Sequence, residues 1–163
     1  MSSRPLFALL STAMLIFFVT IPARAEKIPD FRLPEVSSGR VIDTSNLRGQ
    51  VLLVNFWATW CPPCRMELPE LNDLYRKYNG RGLTVIGVSV DQASKSRIAN
   101  FVKTKGISYP VVRGDSSLSR RYGGVNAIPA SFLVGRDGEI IKQVRGYISG
   151  DRWRPMIEKA LGH

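Results

Sequence analysis

Seven residues, Val51-Leu52-Leu53-Val54-Asn55-Phe56-Trp57, make a nearly unbroken apolar run of strand length. A run of this kind suits a central strand buried on both faces, which needs cover above and below. Three residues further on the chain reads Trp60-Cys61-Pro62-Pro63-Cys64, which contains both of its 2 cysteines. From Pro62 a helix-period pattern begins, so the C-x-x-C pair falls where a strand hands over to a helix. A helix N-terminus offers unpaired backbone N–H groups and the positive end of the helix dipole, and both favour a thiolate over a thiol. Cys61 is expected at the cap and Cys64 one turn inside.

The rest of the chain alternates strands and helices. Ile28 to Pro34 and Arg40 to Asp43 read as short extended segments around Ser37-Ser38-Gly39, a hairpin that caps the domain, followed by a brief turn or helix at Ser45 to Arg48. Leu68, Leu71, Leu74, Tyr75 and Tyr78 give one apolar helix face ending at Asn79-Gly80, with Pro69 inside it predicting a kink. Leu83 to Val90 is a second apolar strand. Ile98, Phe101 and Val102 mark a further helix, Tyr109 to Val112 a short strand, and Ser116 to Tyr122 a short helix. Ala130 to Val134 and Glu139 to Val144 flank Arg136-Asp137-Gly138, a strong hairpin signal. Trp153, Met156, Ile157, Ala160 and Leu161 give a closing helix that starts or bends at Pro155. The order β-α-β-α-β-α-β-β-α predicts an α/β fold with a mixed central sheet flanked by helices and an N-terminal hairpin extension.

What the cysteines do is decided by elimination and magnitude. A disulfide closing a four-residue loop stabilises a fold by only about 2 kcal/mol, against more than about 4 kcal/mol for a long loop, so this pair is a poor staple. It suits redox cycling, because the resolving thiol waits beside the mixed disulfide its neighbour forms. Zinc would need more ligands than two thiolates and the distant His163, and haem attachment would need His where Arg65 stands. The reading is thiol–disulfide exchange with Cys61 attacking and Cys64 resolving, using no metal and no cofactor beyond that pair. Two alternatives stay open: a thiol peroxidase, although Thr59 lies only two residues before Cys61, and a copper chaperone or binding module using the same dithiol.

Trp60, Pro62 and Pro63 flank and support the pair. With Pro62 and Pro63 at the first two helical positions, only the Cys64 amide is left to reach the Cys61 sulfur, which predicts a moderately activated thiol and a reducing site. Glu67 lies one turn beyond Cys64, either close enough to exchange protons with the cysteines or on the surface in a local ion pair. Glu70 and Asp73 read as surface residues. Pro129 opens a strand, where an X-Pro bond can be cis, and the Ile128 backbone is placed to pair with an incoming peptide.

Residues 1–25 stand apart. Arg4, the apolar stretch Leu6 to Ile21 and Ala23-Arg24-Ala25 read as a secretory signal peptide. An uncleaved anchor is the competing reading, because Pro5 to Ala23 carries no charge and approaches the roughly 20 residues a spanning helix needs. Either way residues 26–163, one domain, are expected outside the cytoplasm. Two of the 23 basic side chains, Arg4 and Arg24, fall in the leader; the remaining 21 face 13 acidic ones, a formal excess of +8. The basic residues are scattered, with no Lys/Arg run and no nucleic-acid motif, so nucleic acid is not an expected partner, while acidic proteins and peripheral contact with anionic lipid are compatible with the charge.

The segment Phe56 to Pro69, with Val125-Asn126-Ala127-Ile128-Pro129-Ala130-Ser131-Phe132-Leu133-Val134 and Asp137-Gly138, resembles the thioredoxin superfamily. More narrowly it is similar to the extracytoplasmic TlpA/ResA-like thioredoxins, which include cytochrome c maturation reductants. The resemblance covers nearly all of residues 28–161. It implies a thioredoxin-like fold, catalytic cysteines at Cys61 and Cys64, a cis proline at Pro129, a helix proline at Pro69 and a glutamate near the active site at Glu67. It further implies client proteins with disulfides or thiols, such as apocytochrome c or oxidase assembly factors, and recharging by a membrane thiol reductant. Two positions depart from relatives: Asn55 stands where cytoplasmic thioredoxins carry a buried aspartate, so their proton relay does not transfer, and Gly135 stands where an acidic residue is common.

Overall fold

The computed structural model describes residues 26–162; the leader expected over residues 1–25 lies outside them. The run that opens the sequence is β3 (Val51–Trp57), and all seven of its residues are buried. It follows β1 (Arg32–Pro34) and β2 (Val41–Asp43), which pair antiparallel as the expected hairpin. A 3₁₀ turn at Thr44–Leu47 links the hairpin to β3, with the Asp43 side chain capping it. Then come α1 (Pro62–Tyr78), β4 (Leu83–Ser89), α2 (Lys95–Thr104), β5 (Val111–Arg113), α3 (Ser116–Arg121), β6 (Ala130–Val134), β7 (Ile140–Arg145) and α4 (Gly150–Leu161). The five longer-range strands form one mixed sheet in the order β5-β4-β3-β6-β7, with β3 parallel to β4 and antiparallel to β6. This is a thioredoxin-like architecture.

Alternation along β3 divides the core. Val51, Leu53 and Trp57 face the layer built by α1, α2 and α4, where Leu68, Leu71, Ile98, Trp153 and Ile157 are buried. Leu52, Val54 and Phe56 face the opposite layer, where Leu118 and Tyr122 meet Ile28, Phe31 and Ile42 from the N-terminal segment. That segment also ties both edges of the sheet. The Ile140 amide donates to the Glu26 carbonyl at 2.8 Å beside β7, and the Val36 amide donates to the Val111 carbonyl at 2.8 Å on β5. Three apolar side chains and two edge contacts therefore close the second face with no long helix.

Pro69 lies inside α1, which is continuous through it, and the Arg65 carbonyl loses its helical donor there. Of the two readings of Pro155 in the closing helix, the start is overturned. The helix begins at Gly150, five residues before Pro155, which becomes an interior residue. The cause lies in another helix: Ser149 makes no side-chain cap, while the Glu70 carboxylate on α1 accepts the Gly150 amide and the Tyr147 hydroxyl. Glu70, half-buried at the surface, is thus also a cap supplied across the fold, satisfying a free N–H and facing the positive end of α4.

Gly87 in β4 is required by space. A Cβ there would lie 2.9 Å from Trp57 Nε1, 3.1 Å from Tyr109 Cε2 and 3.2 Å from Val111 Cγ2. Gly87→Ala should therefore destabilise the protein by about 1–3 kcal/mol through overpacking. Gly80→Ala, whose Cβ meets nothing within 4 Å, should leave the urea midpoint close to wild type. Equal midpoints for the two variants would show that the packing behind Trp57 yields easily.

Candidate active site

Cys61 is the N-cap of α1, in extended backbone (φ −88°, ψ 108°), and its sulfur accepts the Cys64 amide at 3.3 Å. Pro62 and Pro63 occupy the first two helical positions and contribute no N–H, so the Cys64 donor stands alone among the first-turn amides up to that residue. The two cysteines are joined in a disulfide with Cα atoms 5.3 Å apart. Both are buried, Cys61 at the helix cap and Cys64 within the first turn. Beside them two large apolar side chains are exposed, Trp60 at 67% and Met66 at 61%.

Opposite the disulfide, the Ile128–Pro129 peptide is cis. The Ile128 carbonyl oxygen lies 3.9 Å from Cys61 Sγ; with both sulfurs bonded to one another there is no thiol proton, so this is a contact rather than a hydrogen bond. Ile128 is half-buried and makes no backbone hydrogen bond among the described residues, whereas the Pro129 carbonyl is taken by the Gly146 amide at 2.7 Å. Pro129 is fastened from behind, and Ile128 offers a free amide and carbonyl beside the sulfur.

The loop entering Cys61 is held by a carboxylate that the sequence did not single out. Asp91, buried, accepts the Thr59 amide at 3.0 Å, the Thr59 hydroxyl at 2.6 Å and the Ser89 hydroxyl at 2.7 Å. An acid directly after the apolar strand Leu83 to Val90 was the one available signal. Three donors on one carboxylate satisfy its burial and fix the turn before the cysteines.

Beneath the pair lies Glu67, which is fully buried, so the surface ion-pair reading does not apply. Its position three residues after Cys64 and four before Leu71 puts it on the apolar stripe of α1, a signal present in the helical period. Asn55 donates to its Oε2 at 3.0 Å and also to Ser131 Oγ at 2.9 Å; Asn55 and Ser131 are register partners on β3 and β6. Burial lifts the Glu67 carboxyl from 4.5 to about 7. The Asn55 hydrogen bond opposes that rise, as do the Trp153 indole and the Ile148 amide in contacts too loose to count as full hydrogen bonds, while the Glu70 charge adds to it.

The geometry agrees with what known proteins show. The model of the AhpC/TSA family matches residues 25–143. The thiol-disulfide oxidoreductase ResA of Bacillus thuringiensis (strain Al Hakam) is 33% identical over 134 residues, covering 82% of this chain and 76% of that one. Among solved structures, a thioredoxin-family thiol:disulfide interchange protein from Chlorobium tepidum TLS matches with TM-score 0.79 and 33% identity over 87% of this chain and all of that one. StoA from Bacillus subtilis matches with TM-score 0.66 and 26% identity over 78% and 96%.

A raised carboxyl binds its proton more tightly when folded, so its stabilising contribution is complete below the unfolded value of 4.5 and is lost as pH rises through about 7. The span corresponds to about 3 kcal/mol. In urea unfolding of the disulfide form at pH 5 and pH 8, wild type should lose about that much more stability than Glu67→Gln, which carries no titrating group. A pH dependence unchanged by Glu67→Gln would mean the carboxyl titrates alike folded and unfolded.

Proposed function

The chain belongs to the AhpC/TSA family and is a thiol-disulfide oxidoreductase, and from that premise we propose that it reduces disulfides in extracytoplasmic client proteins through Cys61 and Cys64. The observation that carries this reading is the free Ile128 backbone beside the Cys61 sulfur, bordered by exposed Trp60 and Met66. A client strand can lay its backbone against Ile128 and its apolar flanks on Trp60, bringing its own disulfide to Cys61.

In the reduced protein the Cys61 thiolate, held by the Cys64 amide and the helix dipole, attacks one client sulfur. A mixed disulfide forms and the other client sulfur leaves, taking a proton. Cys64 loses its proton and attacks Cys61 Sγ, releasing the second client thiol and closing the Cys61–Cys64 disulfide. Two electrons pass from the dithiol to the client, whose two thiols take one proton released by Cys64 and one from solvent, because Cys61 starts as the thiolate. Glu67, whose carboxyl lies near its midpoint at neutral pH, serves as the nearby group that accepts or returns the Cys64 proton.

The cap supports the reducing direction. Two prolines leave one first-turn amide for the Cys61 sulfur, so its thiolate is stabilised less than in a strong oxidant, where a highly stabilised reduced form drives oxidation. The apolar leader over residues 1–25 supports export, with a membrane thiol reductant regenerating the dithiol and apocytochrome c or an oxidase assembly factor as the client class. The peroxidase alternative draws no support from Thr59, whose hydroxyl is engaged by Asp91.

The reduced protein should reduce insulin, Cys61→Ser should abolish that activity, and Cys64→Ala should accumulate a mixed disulfide through Cys61 with an exported protein. The potential, read by equilibration with glutathione, should lie nearer the roughly −270 mV of thioredoxin than the roughly −120 mV of DsbA. Stoichiometric copper binding without insulin reduction would favour the metal-carrying alternative, and a potential at the oxidising end would reverse the proposed direction.

A further inference from the structure

Asn55 is the one polar residue in a strand buried on both faces, and it touches two other buried polar side chains, Glu67 and Ser131. The hydrogen bonds around it divide unevenly. Nδ2 uses both of its protons, one to Glu67 Oε2 at 3.0 Å and one to Ser131 Oγ at 2.9 Å. Asn55 Oδ1 and Glu67 Oε1 are buried and have no partner among the described residues. This is the pattern that suits an ionised carboxylate, which only accepts.

A carboxamide carries its donor and its acceptor on opposite sides of one planar group, and a half-turn about its last bond exchanges them. With Oδ1 turned into the place of Nδ2, the amide would accept the O–H of a protonated Glu67 and the O–H of Ser131. Ser131 suits both arrangements because a hydroxyl donates and accepts. Each arrangement has two hydrogen bonds, and in the turned one the Nδ2 protons take the place of Oδ1, which has no partner among the described residues. Aspartate in the place of Asn55 would behave otherwise: two carboxyls at this separation cannot both ionise, and the pair would titrate together. An apolar residue would leave the Glu67 carboxyl without its donor and disfavour ionisation further.

We propose that Asn55 and Ser131 are positioning residues that hold Glu67 through both of its protonation states, the Asn55 amide turning over as the carboxyl gains or loses its proton. The proposal rests on the reading above in which Glu67 exchanges a proton with the cysteine pair. It adds that the exchange is confined to a single carboxyl whose two hydrogen-bonded supports follow it. The groups facing Glu67 are Cys64 and Glu70 on α1, Asn55 on β3, Ser131 on β6, Trp153 on α4, Ile148 and Tyr147 in the segment before α4, and the Tyr109 phenol, which burial and Glu67 both hold protonated. No Lys or Arg is among them, so nothing in that shell fixes the carboxyl in its charged state.

The test uses the full chain in its disulfide form, in which no thiol titrates, with the side-chain carbons and nitrogens of Glu, Asp and Asn observed by NMR between pH 4 and 9. In wild type the Glu67 carboxyl should titrate in one step near pH 7. The nuclear Overhauser contact between the Asn55 amide protons and the Ser131 β protons should be strong at pH 9 and lost at pH 5. In Asn55→Asp the single step should split in two, with the upper one shifted by at least a pH unit, a tenfold tighter proton. A single unshifted step in that variant, or an amide contact that persists unchanged from pH 5 to 9, would overturn the proposal; the second readout needs no variant and stands even if Asn55→Asp fails to fold. Failure of the underlying reading appears elsewhere: in the reduced protein, Glu67→Gln would leave the pH profile of Cys61 alkylation unaltered while the titrations of the disulfide form stayed as described.

Discussion

A strand with no exposed residue has to be covered twice, and most of this fold answers that requirement. β3 supplies Val51, Leu53 and Trp57 to one layer and Leu52, Val54 and Phe56 to the other. Helices α1, α2 and α4 bury the first set, while α3 and the N-terminal segment bury the second. The same constraint places the chemistry. Where β3 ends and α1 begins, the chain turns at the rim of the sheet, so the first turn of the helix is open to solvent on one side and rooted in the core on the other. Cys61 caps that turn and Cys64 lies within it, both buried against the core layer.

The electrostatics of the site are those of a dry core entered by few polar groups. Two carboxyls are buried close to the cysteine turn, and they are treated differently. Asp91 receives three donors from the loop it holds and acts as a fastening. Glu67 receives one full hydrogen bond, and burial raises its proton affinity until it sits near neutrality. A carboxylate with three donors holds its loop in place, whereas Glu67, with a single neutral donor, has its proton affinity set by burial. The contrast between the two lies in their donors: three for Asp91, one from β3 for Glu67.

The sequence made the sheet and the cysteine turn legible because both depend on local pattern. Continuous apolar runs, the Asp-Gly hairpin and the proline pair at the helix start each carry their own signal, and β3, β6, β7 and α1 lie where those signals put them. What pattern could not convey was any contact made across the fold. Pro155 reads as either the start of α4 or a bend in it; the helix starts earlier, at Gly150, whose amide donates to Glu70 on another helix while Ser149 caps nothing. Asp91 gives no sign in sequence that Thr59, thirty-two positions away, is its partner. Glu67 was half legible: its place on the apolar stripe could be counted, but the amide and hydroxyl that receive it come from β3 and β6.

The way residues 26–28 are fastened bears on how the molecule can be held. The Glu26 carbonyl and the Ile28 amide pair with Ile140 and Gly138, at the hairpin joining β6 to β7. β6 pairs its first residue, Ala130, with Phe56 near the cysteine turn, and its last, Val134, with Leu52. The hairpin therefore lies at the other end of the sheet from the disulfide, about 15–20 Å away along the strands. Whatever is joined ahead of residue 26, whether a lipid-seated helix, a carrier domain or a bead, departs from the pole opposite the sulfurs. The molecule can be moored by that end with its reactive face turned outward, and the mooring and the client do not compete for the same ground.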